Sequence, residues 1–311
     1  MGSLFRAVLA SSLCAFLLAS LPAAADASGV VQMNRETYLY SSTLPIAQEA
    51  NSYQVIVLQQ TDAAKVPQLK AANPSLKILM YQAILAATKV SQSWTTCTSG
   101  TSVAVNNPSW ILKDQYGQPV SGAMNDYLMD VGNPGYQQAC VASASATAKK
   151  DGFDGVFWDM VNASLVWTLP SGVTVPQYPN DTAWQAGMYS MLAYAGAQLH
   201  SAGLLNVANI GGSSITPGLW QQWSGPLDGA EEESFTDSGK GLAASIWAWS
   251  KQVANFAWSQ ANGKFVIAHS WNNTQAGNSY GMASMLLAAA GTLSYSTSNT
   301  SYTTCETCYP E

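Results

Sequence analysis

The sequence predicts an α/β fold, a (β/α)8 TIM barrel, and three observations predict it. Eight short apolar runs recur along the chain, each of the kind that parallel sheets bury. Helical patterns stand between most of them, the alternation of a sheet wrapped by helices. The chain beyond its leader, about 286 residues from Asp26 to Glu311, suits one barrel of the usual ~250 residues. An open doubly wound sheet would alternate in the same way. It would also carry a Gly-rich phosphate loop after its first strand, and none follows here.

Residues 1–25 read as a signal peptide: Arg6 gives a positive start, Ala7 to Leu21 an uncharged apolar stretch, and Ala23-Ala24-Ala25 a cleavage site. Residues 26–311 then form a single catalytic-type domain, with no Pro/Ser-rich linker and no short-period repeat. Its first strand is expected at Tyr53 to Gln59. An amphipathic helix over Asp62 to Ala72 follows, with Val66 and Leu69 on one face, and Asn73-Pro74 stops it. The second strand is expected at Leu76 to Gln82. A loop over Asn106 to Val120 leads to the third, Tyr127 to Val131. An Ala-rich helix, Gly135 to Lys150, precedes the fourth, Gly155 to Val161.

Asp181 to Ser201 is a long helix whose Trp184, Met188, Met191 and Leu192 share a face. Strand five is Leu205 to Ile210, followed by a short helix, Leu219 to Trp223. Strand six is Gly229 to Phe235, and Ala243 to Ala261 is the helix after it. Lys264 to Trp271 is strand seven, Met282 to Ala290 a helix, and Thr292 to Ser296 strand eight. A full eighth helix is not legible after it.

The composition narrows the function. Charged residues make up only 10% against 11 Trp and 14 Tyr, and losing Arg6 takes the formal charge from -6 to -7. An acidic chain without a basic cluster argues against nucleic acid. No run beyond the leader is long and apolar enough for a bilayer, so no membrane contact is expected after cleavage, and the chain is expected to act as a monomer. Four cysteines outlast processing, and an even number in an exported chain suggests disulfides, Cys97 with Cys140 and Cys305 with Cys308. The sequons at Asn162, Asn180, Asn272 and Asn299 would matter only in a eukaryotic host. No His/Cys/Asp/Glu set has metal-ligand spacing, so neither metal nor cofactor is expected. Without a Gly-x-Ser-x-Gly elbow, an acyl hydrolase is a weak option.

Barrel chemistry sits at the C-terminal ends of the strands. The polar groups there are Gln59, Tyr81, Gln82, Asp130, Asp159, Asn209, Glu231 to Glu233, His269 with Trp271, and Tyr295. Such an acidic, amide-rich, aromatic rim suits sugars, because hydroxyls need fixed donors and acceptors. Cleaving an acetal needs two carboxyls, one to protonate the leaving oxygen and one to meet the anomeric carbon. Asp159 ends an apolar strand, where burying a charge is costly without a purpose, although a helix cap would also place an Asp there. Three successive glutamates crowd charge; alternation sends Glu231 and Glu233 to one face and Glu232 to the other. Crowding near Asp159 would raise one carboxyl's pKa, as a general acid requires. The catalytic candidates are Asp159 and Glu233. Asp130, Tyr81, Asn209, Glu231, His269, Trp271 and Tyr295 are candidate sugar contacts, with a turn-forming role equally open for Asp130.

Gly152-Phe153-Asp154-Gly155-Val156-Phe157-Trp158-Asp159 resembles the GFDGVFLD strand of hypothetical glycosyl hydrolase family 15. MDVGNPGY, residues 129–136, and the Gly229–Phe235 strand are similar to that family's segments too. The endo-α-1,4-polygalactosaminidases are more distantly similar. The resemblance, over Tyr53 to Tyr295, implies a barrel with Asp159 as nucleophile or electrostatic stabiliser on strand four and Glu233 as acid/base on strand six. The expected function is therefore secreted hydrolysis of a polysaccharide or oligosaccharide, with α-linked glycans among the candidate substrates. The alternative is a cell-surface barrel that binds carbohydrate without cleaving it.

Overall fold

The computed structural model describes residues 33–36, 45–90, 96–236, 246–271, 274–289 and 293–297. The leader, Cys305 and Cys308, the sequons at Asn272 and Asn299, and any helix beyond Thr297 lie outside them. Among the described residues no helix is long and apolar enough to cross a membrane.

Among the described residues, ten strands and eight α-helices follow in order: β1 Met33–Glu36, α1 Ile46–Ser52, β2 Tyr53–Leu58, α2 Val66–Ala72, β3 Lys77–Ala83, β4 Ala86–Thr88, α3 Gly100–Asn106, β5 Asp126–Leu128, α4 Pro134–Asp151, β6 Gly155–Asp159, α5 Asp181–Ser201, β7 Leu205–Asn209, α6 Leu219–Ser224, β8 Gly229–Glu232, α7 Ile246–Ala261, β9 Phe265–Ser270, α8 Gln275–Leu286 and β10 Leu293–Thr297. Eight of the strands form one parallel sheet in the order β1-β2-β3-β6-β7-β8-β9-β10. The sheet curls until β1 and β10 lie side by side, so the fold is a nearly closed TIM barrel.

One predicted barrel strand is corrected. The run Tyr127 to Val131 does not join the barrel. Its Asp126–Leu128 part pairs antiparallel with β4, as a small ribbon in the long loop after β3. An apolar stretch this short reads alike in a ribbon and in a barrel. The place it left is taken by Met33–Glu36, a polar segment with no apolar run to announce it. The two errors offset, so Asp159 still ends the fourth barrel strand and the glutamate run the sixth.

Alternation divides each strand between two cores. Val55, Val57, Leu79, Tyr81, Phe157, Val207 and Ile267 face the barrel axis and pack on one another. Their neighbours Ile56, Met80, Trp158, Ala208 and Ala268 face the helical layer. Glycine closes the floor of the barrel: a Cβ on Gly229 would stand 2.5 Å from the Phe265 ring that fills the axis there. Trp158 lies in the outer layer and donates its Nε1–H to Asn206 Oδ1 at 2.7 Å, so its one polar atom is satisfied.

Helices α4 and α5 begin within a residue of where the sequence signals them, whereas the helix expected at Met282 to Ala290 is Gln275–Leu286 and the one expected from Asp62 becomes α-helical only at Val66. Asn133 caps α4 by accepting from Gly135 N and Tyr136 N, Pro134 follows at the first turn, and Gly152 (φ 80°) ends it in the left-handed region. Asn180 caps α5 through Ala183 N at 2.9 Å. Asp154, just before β6, binds Lys70 Nζ at 2.6 Å and Ile78 N at 2.7 Å at the non-catalytic end.

Cys97 and Cys140 form a disulfide that ties the excursion after β3 to α4 across 43 residues. Cross-linking a loop of that size stabilises by about 2–4 kcal/mol, chiefly by restricting the unfolded chain. Replacing both cysteines by serine is expected to lower the melting temperature by about 5–15 °C in calorimetry. An unchanged melting point would show that the bridge restrains nothing.

Candidate active site

Asp159 ends β6 with only 4% of its surface exposed. Two donors hold its carboxylate: Tyr81 OH reaches Oδ2 at 2.5 Å and Asn209 Nδ2 reaches Oδ1 at 3.1 Å. Its backbone carbonyl accepts from Ile84 N at 3.1 Å, and the carbonyl of Ile84 accepts from Tyr136 OH at 2.6 Å. The MDVGNPGY segment therefore supports the site from behind through its Tyr136. Met160, the next residue, has φ 63°, a left-handed conformation that costs a non-glycine of order 1–2 kcal/mol and turns the chain sharply away from the strand.

Asn209 ends β7 on the same rung as Glu231 of β8. Its Oδ1 accepts from Gly211 N at 3.1 Å, which fixes which end of the amide points where. The amide nitrogen then serves two carboxylates, Asp159 Oδ1 at 3.1 Å and Glu233 Oε2 at 2.8 Å. One nitrogen thus brings the catalytic candidates of strands four and six together.

The three glutamates separate. Glu233 lies in the turn after β8, partly exposed at the mouth. Burial raises its pKa to about 7, the negative charges of Asp159 and Glu232 add to the rise, and the Asn209 hydrogen bond opposes it. Glu232 points outward, buried behind the site, where its Oε2 accepts from Ser214 Oγ at 2.7 Å and its Oε1 from Ser234 N at 3.4 Å. Burial raises its pKa as well. Glu231 faces the axis and is fully buried, level with Asn209 and Ile267.

His269, near the end of β9, bonds Ser296 Oγ of β10 through Nδ1 at 2.7 Å. Burial pushes its pKa down to about 4, so the ring is neutral at pH 7. It meets the partly exposed Trp271 edge-on, with ring centroids 5.0 Å apart. Ser296 escaped the sequence reading, although alternation from the predicted eighth strand could have placed it on the inner face.

Three of the expected sugar contacts stand differently. Tyr295 pairs with Ala268 of the outward-facing set, is fully buried, and presses its hydroxyl end on Gly281 of α8. It belongs to the helical layer, because the side chains that line the axis from β10 are its neighbours Ser294 and Ser296. Tyr81 does face the axis, but its buried hydroxyl is spent on Asp159, so it positions that carboxylate. Asp130 follows the ribbon strand β5, and its Oδ1 accepts from Tyr178 OH and from Gly132 N, which is the turn-forming role. Among the described residues no three His, Cys, Asp or Glu side chains converge as metal ligands.

A family model described as hypothetical glycosyl hydrolase family 15 matches residues 70–311. Among curated proteins no sequence matches. The glycoside hydrolase domain of PelA from Pseudomonas aeruginosa superposes with a TM-score of 0.56 at 16% identity, over 88% of this chain and 96% of that one. A cycloisomaltooligosaccharide glucanotransferase of Paenibacillus sp., solved with cycloisomaltoheptaose, gives 0.52 at 14% identity, over 80% of this chain and 39% of that one. At such identities the two superpositions speak for the fold.

Proposed function

The chain belongs to hypothetical glycosyl hydrolase family 15, and from that premise we propose that it is an exported, single-chain hydrolase of a polysaccharide or oligosaccharide, with Glu233 as acid/base and Asp159 as nucleophile. The observation that carries the reading is the shared Asn209 amide. It holds two carboxylates of unlike environment side by side, one that accepts from Tyr81 and Asn209 and one that burial pushes toward neutrality. Two carboxyls in such unlike environments can divide the roles of proton donor and nucleophile.

The two bonds, 3.1 and 2.8 Å, laid end to end limit the gap between Asp159 Oδ1 and Glu233 Oε2 to about 6 Å, nearer the ~5–5.5 Å of retaining enzymes than the ~6.5–9.5 Å that leaves room for a water in inverting ones. Two displacements follow from that spacing. Protonated Glu233 gives its proton to the glycosidic oxygen as the C1–O bond breaks, and Asp159 Oδ bonds to the anomeric carbon. Glu233, now a carboxylate, takes a proton from water; the water oxygen displaces Asp159 from the anomeric carbon. The product keeps the anomeric configuration of the substrate. Neutral His269 and Trp271 offer the sugar a polar edge and an apolar face without adding charge.

The test is a panel of α- and β-linked glycans followed by proton NMR of the first product anomer. Release of the retained anomer supports the reading; release of the inverted anomer removes Asp159 as nucleophile. Because the acid must be protonated, kcat/KM is expected to fall tenfold per pH unit above about 7. Binding without turnover across the panel would favour the non-catalytic barrel. Export rests on residues 1–25 and on the Cys97–Cys140 bridge. Mature protein outside the cell with Asp26 at its N-terminus is the expected finding.

A further inference from the structure

Trp167 is left unused by the chemistry above, and it is placed where a substrate would meet it. It closes the short 3-10 helix Leu165–Trp167 in the loop that leaves β6 just after Asp159. With 53% of its surface exposed, it is the most exposed tryptophan among the described residues. Its six-membered ring lies on Gly212, in the loop that leaves β7 just after Asn209; a Cβ there would come within 2.4 Å of ring atoms. Gly212 also has φ 74°, so only glycine gives both the backbone shape and the room. The ring thus bridges the loop after Asp159 and the loop after Asn209, the residue whose amide holds the carboxylate pair. Val166, beside Trp167 in the chain, and Ile215, three residues beyond Gly212, are also exposed.

The loop that carries this ring is firmly held. Leu165 is buried in the core, and Thr168 Oγ1 closes the turn on Leu165 O at 2.9 Å. Ser164 Oγ donates to Asp181 Oδ1 at 2.7 Å, Trp184 Nε1 to Asn162 O at 2.8 Å and Gln185 Nε2 to Ala163 O at 2.9 Å, all from or to α5. A large aromatic side chain presented half-exposed on a pinned loop loses little freedom when a ligand covers it. A pyranose offers the matching surface, a face of C–H groups rimmed by hydroxyls. We propose that Trp167 is the platform of a saccharide subsite next to the Asp159–Glu233 pair, holding one ring of a multi-unit glycan while a neighbouring unit is cleaved. The subsite rests on the carbohydrate reading of the barrel, and it does not require that the barrel cleaves.

The experiment separates the two. Asp159→Asn protein, alone and with Trp167→Ala added, is titrated with isomalto-oligosaccharides and α-1,4-galactosamine oligomers of two to eight units. Binding is followed by calorimetry. In the Asp159→Asn background, affinity is expected to grow with chain length, and Trp167→Ala to lower it about tenfold for the longest oligomer bound, with Trp167→Phe restoring most of it. In the active enzyme the loss of kcat/KM on that oligomer is expected to exceed, by at least tenfold, the loss on the glycosyl fluoride that fills only the reacting position. Equal binding with and without Trp167, or equal losses on oligomer and fluoride, overturns the subsite. Tryptophan-dependent binding with no turnover by the parent enzyme upholds the subsite and defeats the hydrolase.

Discussion

Asp159→Asn is expected to lower turnover by about a thousandfold or more, the loss of ~4 kcal/mol of transition-state stabilisation. The asparagine keeps the shape and fills the same buried place, so the melting temperature should stay within a few degrees of the parent. The drop follows from chemistry: an amide cannot form the glycosyl ester. Asp159→Ala opens the position instead, and added azide can then enter from the face the carboxylate occupied. The product would be a glycosyl azide of inverted configuration. Glu233→Gln is expected to cost about 10²–10⁴-fold on natural linkages, the usual worth of a positioned general acid. That loss should shrink on the glycosyl fluoride, whose leaving group needs no proton. With Glu233→Ala, azide would attack the glycosyl-enzyme and give the retained product. Opposite azide stereochemistry from the two alanine variants is the decisive signature. If both variants turn over normally, or azide gives the same anomer from each, the assigned roles are wrong.

The fold and the site were legible in unequal measure, for physical reasons. GVFWD at β6 announces itself because all five residues are buried, and a strand buried on both faces must be written almost wholly in apolar residues until its functional end. The helices α4 and α5 were legible to within a residue because helical composition and periodicity are written locally in the chain. Met33–Glu36 was not, since MNRE has no hydrophobic period and owes its strand to its neighbour β2. Tyr127 to Val131 misled because pairing partners are tertiary information. The same holds at the site. Sequence placed Glu231 and Glu233 on one face, but only the rung shared by Asn209 and Glu231 shows that Glu233 rises above it to the rim. Asn209 was expected to touch sugar; its role as the donor common to two carboxylates depends on a register that no local pattern records. Tyr295 and Trp167 mark the limit for aromatics, where one ring serves the core and the other faces solvent.

Asn209→Ala is expected to lower kcat about a hundredfold and, in the same enzyme, to move the basic limb of the pH profile upward. The first effect follows because Asp159 loses a donor and the pair loses the nitrogen that spaces it; removing one preorganised donor in a catalytic site commonly costs about 10²–10³. The second has its own sign. The Asn209 hydrogen bond is the contact that lowers the Glu233 pKa against burial and the charges of Asp159 and Glu232. Without it the acid should stay protonated above pH 7, so activity, though small, persists to higher pH. Stability offers an independent reading. The Glu233 pKa is raised above its ordinary 4.5, so the folded state holds the proton more tightly than the unfolded chain does. That contribution is complete below about 4.5 and is lost as pH rises through about 7. Glu233→Gln should therefore melt higher than the parent at pH 8 and similarly at pH 4, and Asn209→Ala should stretch the falling range to higher pH. A merely structural asparagine would lower melting at every pH and leave the kinetic limb where it was. That outcome would strip the shared amide of its part in tuning the acid.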